Sequence, residues 1–160
     1  MSAVYSFRMT WEFQAPIERV WEMITHPGEW PKWWKNCKNV EQLREPDANG
    51  IGGVQRFSMQ TQLPYTLRFE VTSSRSEPPN VLAGDVGGQL QGTVRWELSQ
   101  AGDITTIRYF WDVAPTRAWM RALSPLMRPV FVWNHRSMMR NAARGLSKMI
   151  DARLLAEEYH

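Results

Sequence analysis

The first 34 residues carry the order that most constrains the fold. Tyr5, Phe7, Met9, Trp11 and Phe13 alternate strictly with Ser6, Arg8, Thr10, Glu12 and Gln14, which is the period of a half-buried strand. Residues 15–34 follow at once. Pro16 suits the first turn of a helix, where its missing N–H costs nothing. Ile17, Val20, Trp21 and Ile24 share one face at helical spacing. Pro27 and Pro31 then restrict the chain, so the helix is expected to end near Thr25 or His26, with at most a short second helix around residues 28–34. Trp30, Trp33 and Trp34 crowd this elbow. A strand, a helix and an aromatic elbow in this order describe the start of a container.

From residue 36 to residue 115 the pattern is strands and turns. Val40 and Leu43 mark a strand that stops at the turn cluster of residues 46–50. Residues 54–61 follow, with Gln55, Phe57 and Met59 on one face. Pro64 breaks the pattern, and Tyr65, Leu67, Phe69 and Val71 alternate in the next strand. Pro78, Pro79 and Asn80 turn the chain into a short strand through Val81, Leu82 and Ala83. Gly87-Gly88 signals a hairpin. Leu90, Val94, Trp96 and Leu98 alternate beyond it, and a turn at residues 101–103 leads to Ile107, Tyr109, Trp111 and Val113. Short connections imply an antiparallel meander.

The last stretch returns to helical periodicity. Trp119, Met120 and Leu123 lead into Ser124-Pro125, a cap and first-turn proline, and Pro129 is expected to restart or kink the helix. A long helix then runs from about residue 130 to about residue 155. At ~100° per residue, Phe131, His135, Met138, Ala142, Leu146 and Met149 form one stripe, with Asn134 at its edge and Met139 beside it. Arg136, Arg140, Arg144 and Lys148 recur on the opposite side, which reads as an apolar face on the domain and a basic face in water. The tail, residues 156–160, is expected to fray. A sheet with one apolar face needs a cover, and this helix supplies it.

Composition narrows the classes. The 160 residues suit one domain over 1–160 that buries roughly 70% of its unfolded surface. The single cysteine, Cys37, excludes an internal disulfide framework and agrees with a reducing compartment. No segment approaches the ~18 apolar residues of a membrane span, and no basic-then-apolar leader is visible, so the expected location is cytoplasmic. Net charge is only +3, so a nucleic-acid partner does not follow. Nine Trp and nine Met suit a core with a hole in it, since aromatics carry large apolar area and Met adapts to irregular shapes.

Several motifs carry a resemblance: Ala15-Pro16 with Val20-Trp21, His26-Pro27, the elbow Trp30-Pro31-x-Trp33-Trp34, the run Leu90-x-Gly92-Thr93-Val94-x-Trp96, and the terminal helix. With them the chain resembles the START / Bet v I-like superfamily, SRPBCC, and within it the polyketide cyclase/dehydrase-like proteins. That family commonly has an acidic residue where His26 stands. The elbow and the residues that follow it, Lys35-Asn36-Cys37, are also similar in character to coenzyme-Q-binding START-like proteins. The resemblance implies an α+β helix-grip fold. A curved seven-stranded antiparallel sheet wraps the C-terminal helix, two short helices lie between strands 1 and 2, and an apolar pocket lies between sheet and helix.

In such a fold the helix stripe faces the pocket. His135 could then orient a ligand carbonyl or act as general base; the ordinary alternative is a core histidine bonded to a strand backbone or a Tyr. Tyr65 and Tyr109 each offer a polar tip on an apolar body, and Tyr109 joins His135 as a catalytic candidate. Trp30, Trp33, Trp34, Trp96 and Trp111 are candidate walls, or plain core. Phe57, Met59, Leu67 and Phe69 complete the sheet side of the candidate ligand site. Phe131, Asn134, Met138, Met139 and Ala142 complete the helix side. His26 more simply caps a turn.

Other chemistries lack their residues. His26, His135 and Cys37 have no metal-ligand spacing, so neither metal nor cofactor is called for. There is no G-x-S-x-G elbow. Gly50-Ile51-Gly52-Gly53 does not open a helix, as a phosphate loop would. Cys37 reads as a small buried apolar residue. The leading expectation is binding of a hydrophobic small molecule, such as a polyketide-like aromatic, a lipid or an isoprenoid. The alternatives are an aromatase/cyclase-type enzyme using the same pocket, with catalysis largely by orientation, and an adaptor that meets protein or RNA through Arg136, Arg140, Arg144 and Lys148. Glu157 and Glu158 would weaken the field of that stripe.

Overall fold

The computed structural model describes residues 5–160. β1 (Tyr5–Phe13) leads into α1 (Ile17–Ile24) and a 3-10 helix over Pro27–Lys32. Six strands follow: β2 (Cys37–Arg44), β3 (Val54–Gln60), β4 (Thr66–Glu77), β5 (Val81–Gly88), β6 (Leu90–Ala101) and β7 (Ile104–Pro115). Then come α2 (Ala118–Met149) and β8 (Leu154–Tyr159). The strands form one antiparallel sheet in the order β2-β3-β4-β5-β6-β7-β1-β8. The meander is the one the short turns require, and α2 covers its apolar face.

Local chemistry explains the elbow. Pro16 occupies the N-cap of α1 rather than its first turn, and the amide of Ile17 finds its acceptor in Gln100 Oε1 of β6 at 3.0 Å. Ile17, Val20 and Ile24 are buried. The helix ends at Thr25, whose hydroxyl donates to the Trp21 carbonyl at 2.8 Å. His26 Nδ1 then donates to the Glu22 carbonyl at 2.7 Å, a turn-capping role. The indole N–H of Trp30 donates back to the Met23 carbonyl, and that of Trp34 to the Met138 carbonyl of α2. The elbow is thus tied to both helices through tryptophan nitrogens.

Two glycines permit close approaches that no other residue allows. A Cβ on Gly145 of α2 would lie 1.6 Å from the Trp33 carbonyl oxygen, so the helix and the elbow touch backbone to backbone. Gly92 in β6 has φ 156°, and a Cβ there would lie 1.9 Å from the Asp112 carbonyl. It sits opposite Val113, where β6 and β7 close on each other.

The structure departs from the sequence reading in α2, in the sheet and on the basic stripe as well. α2 begins at Ala118 and ends at Met149, where a helix of about 130–155 was expected. Pro125 and Pro129 lie inside it, and the buried hydroxyl of Ser124 donates to the Met120 carbonyl within the helix instead of capping its start. Among the described residues the sheet carries eight strands, not seven, because the tail does not fray. Asp151, at φ 50°, turns the chain, and β8 pairs with β1 from Phe13↔Leu154 to Met9↔Tyr159. The basic stripe is also not uniformly solvated. Arg136 Nε is buried and the Arg140 guanidinium stacks on the Tyr159 ring at 5.3 Å, while Arg144 and Lys148 are exposed.

Candidate functional site

Between the sheet and α2 lies a cavity of about 640 Å³, within the range of small-molecule sites. Its sheet wall follows from the register. Phe57 pairs directly with Phe69, and Trp96 pairs directly with Tyr109. Their rings, with Trp111 and the elbow's Trp30, close a circuit. Centroid separations run Trp30–Phe57 5.4 Å, Phe57–Phe69 5.3 Å, Phe69–Trp111 5.4 Å, Trp111–Tyr109 6.1 Å, Tyr109–Trp96 4.3 Å and Trp96–Trp30 6.2 Å. All six residues line the cavity. Each such ring pair contributes about 0.5–1.5 kcal/mol beyond its area, so the wall is held in shape before any ligand arrives.

The helix wall differs in character. Met120, Phe131, Met138 and Met139 line it together with Asn134 and His135. Asn134 Oδ1 accepts the Gln62 amide at 2.7 Å, which orients the side chain. The His135 ring stacks on Phe7 at 3.9 Å and lies 6.4 Å from the Tyr109 ring, nearly parallel to it. It makes no hydrogen bond among the described residues. Burial pushes its pKa down to about 3, and the neighbouring Arg136 guanidinium adds to the effect. The imidazole is therefore neutral at physiological pH. Part of its surface is accessible from the cavity.

The other polar tips are also held neutral. Burial raises the Tyr109 phenol and, less completely, the Tyr65 phenol, helped by Tyr5. The Tyr5 hydroxyl is buried without a hydrogen-bond partner among the described residues. A rim of exposed polar residues, His26, Gln42 and Glu45, also lines the cavity, with exposed Pro46 beside them. Cys37 is buried, which pushes its thiol up to about 12, and it is not part of the lining. Among the described residues no group of three or more His, Cys, Asp or Glu is placed to hold a metal ion.

Nearly all the sequence candidates come together here. Trp30, Trp34, Phe57, Met59, Tyr65, Leu67, Phe69, Trp96, Tyr109 and Trp111 line the cavity, as do Phe131, Asn134, His135, Met138 and Met139. Trp33 and Ala142 do not. Trp33 packs on Trp34 with its carbonyl against Gly145, and Ala142 is buried in the helix–core contact. Sequence reasoning missed Tyr5, Phe7, Trp21 and Met120, together with the polar rim. Tyr5 and Phe7 were legible as one face of β1. Their neighbours were not, because β1 pairs with β7 across a hundred residues of chain.

The chain matches the protein family described as "Polyketide cyclase / dehydrase and lipid transport" over residues 5–149. It belongs to that family. Solved structures agree on the fold. A protein of Thermus thermophilus is similar with a TM-score of 0.76 at 14% identity, covering 90% of this chain and 95% of that one. A START superfamily protein from Mycobacterium smegmatis has a TM-score of 0.70 at 13% identity, covering 91% and 99%. The Zhui aromatase/cyclase from a Streptomyces species has a TM-score of 0.67 at 14% identity, covering 90% and 92%. No curated protein matches the chain. The helix-grip architecture is thus shared; at these identities the neighbours speak for the fold alone.

Proposed function

We propose that this family member binds a hydrophobic small molecule, of polyketide-like aromatic, lipid or isoprenoid type, in the cavity between sheet and α2. The observation that carries the reading is the closed circuit of six rings lining a cavity of about 640 Å³. Flat apolar walls reward a flat or chain-like apolar ligand. The deep polar tips, His135, Tyr109 and Tyr65, are neutral, so they can offer hydrogen bonds without the cost of a buried charge. Met120, Met138 and Met139 let the helix wall adapt to the ligand's outline. Among the described residues no helix is long and apolar enough to cross a membrane. The cytoplasm is the proposed place of work, supported by the single cysteine, a free thiol of the kind a reducing compartment maintains.

A lipophilic fluorescent probe tests this. The expected result is saturable one-to-one binding, weakened at least about tenfold by Leu67→Trp, which fills the cavity from β4. Binding that is non-saturable, or unaffected by Leu67→Trp in a folded protein, contradicts the reading.

One observation favours a second reading, an aromatase/cyclase-type enzyme. His135 makes no hydrogen bond among the described residues and shares the cavity wall with Tyr109, so both polar tips can meet a substrate held there. If His135→Ala and Tyr109→Phe keep probe affinity but abolish turnover of a trial poly-β-ketone, the cavity is an active site as well as a container.

A further inference from the structure

The N-terminal half of α2 has a second apolar face that the fold does not use. Trp119, Leu123, Leu126, Val130 and Trp133 recur at spacings of four, three, four and three residues, which places them on one flank of the helix. That flank lies beside the inward face that carries Met120 and Phe131. Four of the five are exposed: Leu126 78%, Trp119 55%, Trp133 52% and Leu123 42%. Apolar residues scattered singly on a surface need no explanation, but a contiguous stripe of this size marks an interaction site.

Charge identifies the partner. Between Asp112 and Asp151 the chain contains no acidic residue, and it carries Arg117, Arg121, Arg128, Arg136, Arg140, Arg144 and Lys148. Continuing the flank at helical spacing beyond Trp133 leads to exposed Arg144 and Lys148. The surface is therefore apolar along one half of the helix and cationic along the other. A second copy would set two acid-free basic helices side by side, with like charges opposed. An anionic bilayer satisfies both halves: Trp and Leu enter the boundary between headgroups and acyl chains, and the cations meet lipid phosphates. Trp119 and Trp133, at the two ends of the stripe, suit the depth that indoles prefer in a membrane.

We propose that the flank Trp119/Leu123/Leu126/Val130/Trp133 of α2, with Arg144 and Lys148, docks the protein reversibly on an anionic phospholipid surface. Met120 and Phe131, on the same helical stretch, line the cavity. Docking therefore brings the cavity wall to the source of apolar cargo. That last step rests on the proposed binding function, whereas docking itself does not.

The test is co-sedimentation of the full, ligand-free chain with vesicles of phosphatidylcholine alone and of phosphatidylcholine with a third phosphatidylglycerol. The expected result is binding at least about tenfold tighter to the anionic vesicles and weakened by salt. Leu126→Glu and Trp133→Glu should each reduce it by about tenfold or more, and Arg144→Glu with Lys148→Glu should remove the preference for anionic lipid. Circular dichroism and probe binding in solution check that each variant is folded and that its cavity works, so failure of docking and failure of ligand binding are read separately. Absence of binding to anionic vesicles at low salt overturns the proposal, as does unchanged binding by the folded Glu variants. A dimer that dissociates on Leu126→Glu also overturns it, because the stripe would then belong to a second copy.

Discussion

The two halves of α2 are built for different purposes. In the C-terminal half, Met138, Met139, Ala142, Ala143 and Leu146 are buried. Trp34 donates to the Met138 carbonyl, Asn141 donates to Asn36 at 2.9 Å, and Gly145 lies against the Trp33 backbone. In the N-terminal half, residues 118–133, only Met120 and Ser124 are buried, and large apolar side chains point outward. One half anchors the helix in the grip and, through Met138 and Met139, also walls the cavity. The other is a thin wall with the cavity on one side and open surface on the other. The anchoring contacts and the outward apolar flank thus fall on different stretches of one helix, and substitutions can separate them.

The sharpest way to break this contrast is Gly145→Ala. The added Cβ meets a backbone carbonyl that cannot move without the elbow, so the expected cost is about 3–5 kcal/mol, read as a loss of unfolding free energy in urea. A cost under about 1 kcal/mol would show that the elbow and helix are not locked together there. His135, at the seam between the halves, should give a smaller, pH-dependent effect. Its folded pKa is lowered to about 3 from 6.5, so the unfolded chain takes up the proton first as pH falls. Its stabilisation is complete above pH 6.5 and declines towards pH 3 by at most about 1.4 kcal/mol per unit. Denaturation of the wild type and His135→Phe at pH 7.5, 5.5 and 4.5 should show this slope reduced in the variant. Equal slopes would mean that cavity water solvates the imidazole. At the other end of the scale, Leu126→Ser on the exposed flank should change stability by no more than about 0.5 kcal/mol. A larger loss would place that side chain in a packed contact.

Some of this division was legible in the sequence. The period-two runs that set Phe57 beside Phe69 and Trp96 beside Tyr109 are local, so both walls of the aromatic circuit could be named before their partners were known. The stripe through Phe131, His135 and Met138 was equally local, and it does face the cavity. Three things did not follow from the local pattern. β8 forms because the edge of β1 offers a free ladder to residues 154–159, and nothing in that short acidic tail signals a strand. The early start of α2 depends on tolerance of Pro125 and Pro129, which propensity alone argues against. The close approach of Gly145 to Trp33 joins residues that no sequence spacing relates. Met149, placed on the inward stripe by periodicity, is exposed, because the helix ends there and the chain turns at Asp151 towards β1.

The proposed occupant of the cavity is an apolar molecule. Native mass spectrometry of the full chain, after equilibration with a hydrophobic extract of its host cells, tests it most directly. The expected result is one non-covalent adduct per chain of a size that fits about 640 Å³, retained by Leu126→Ser and absent from Leu67→Trp. A bare chain mass after equilibration, or an adduct that Leu67→Trp carries equally well, would contradict it.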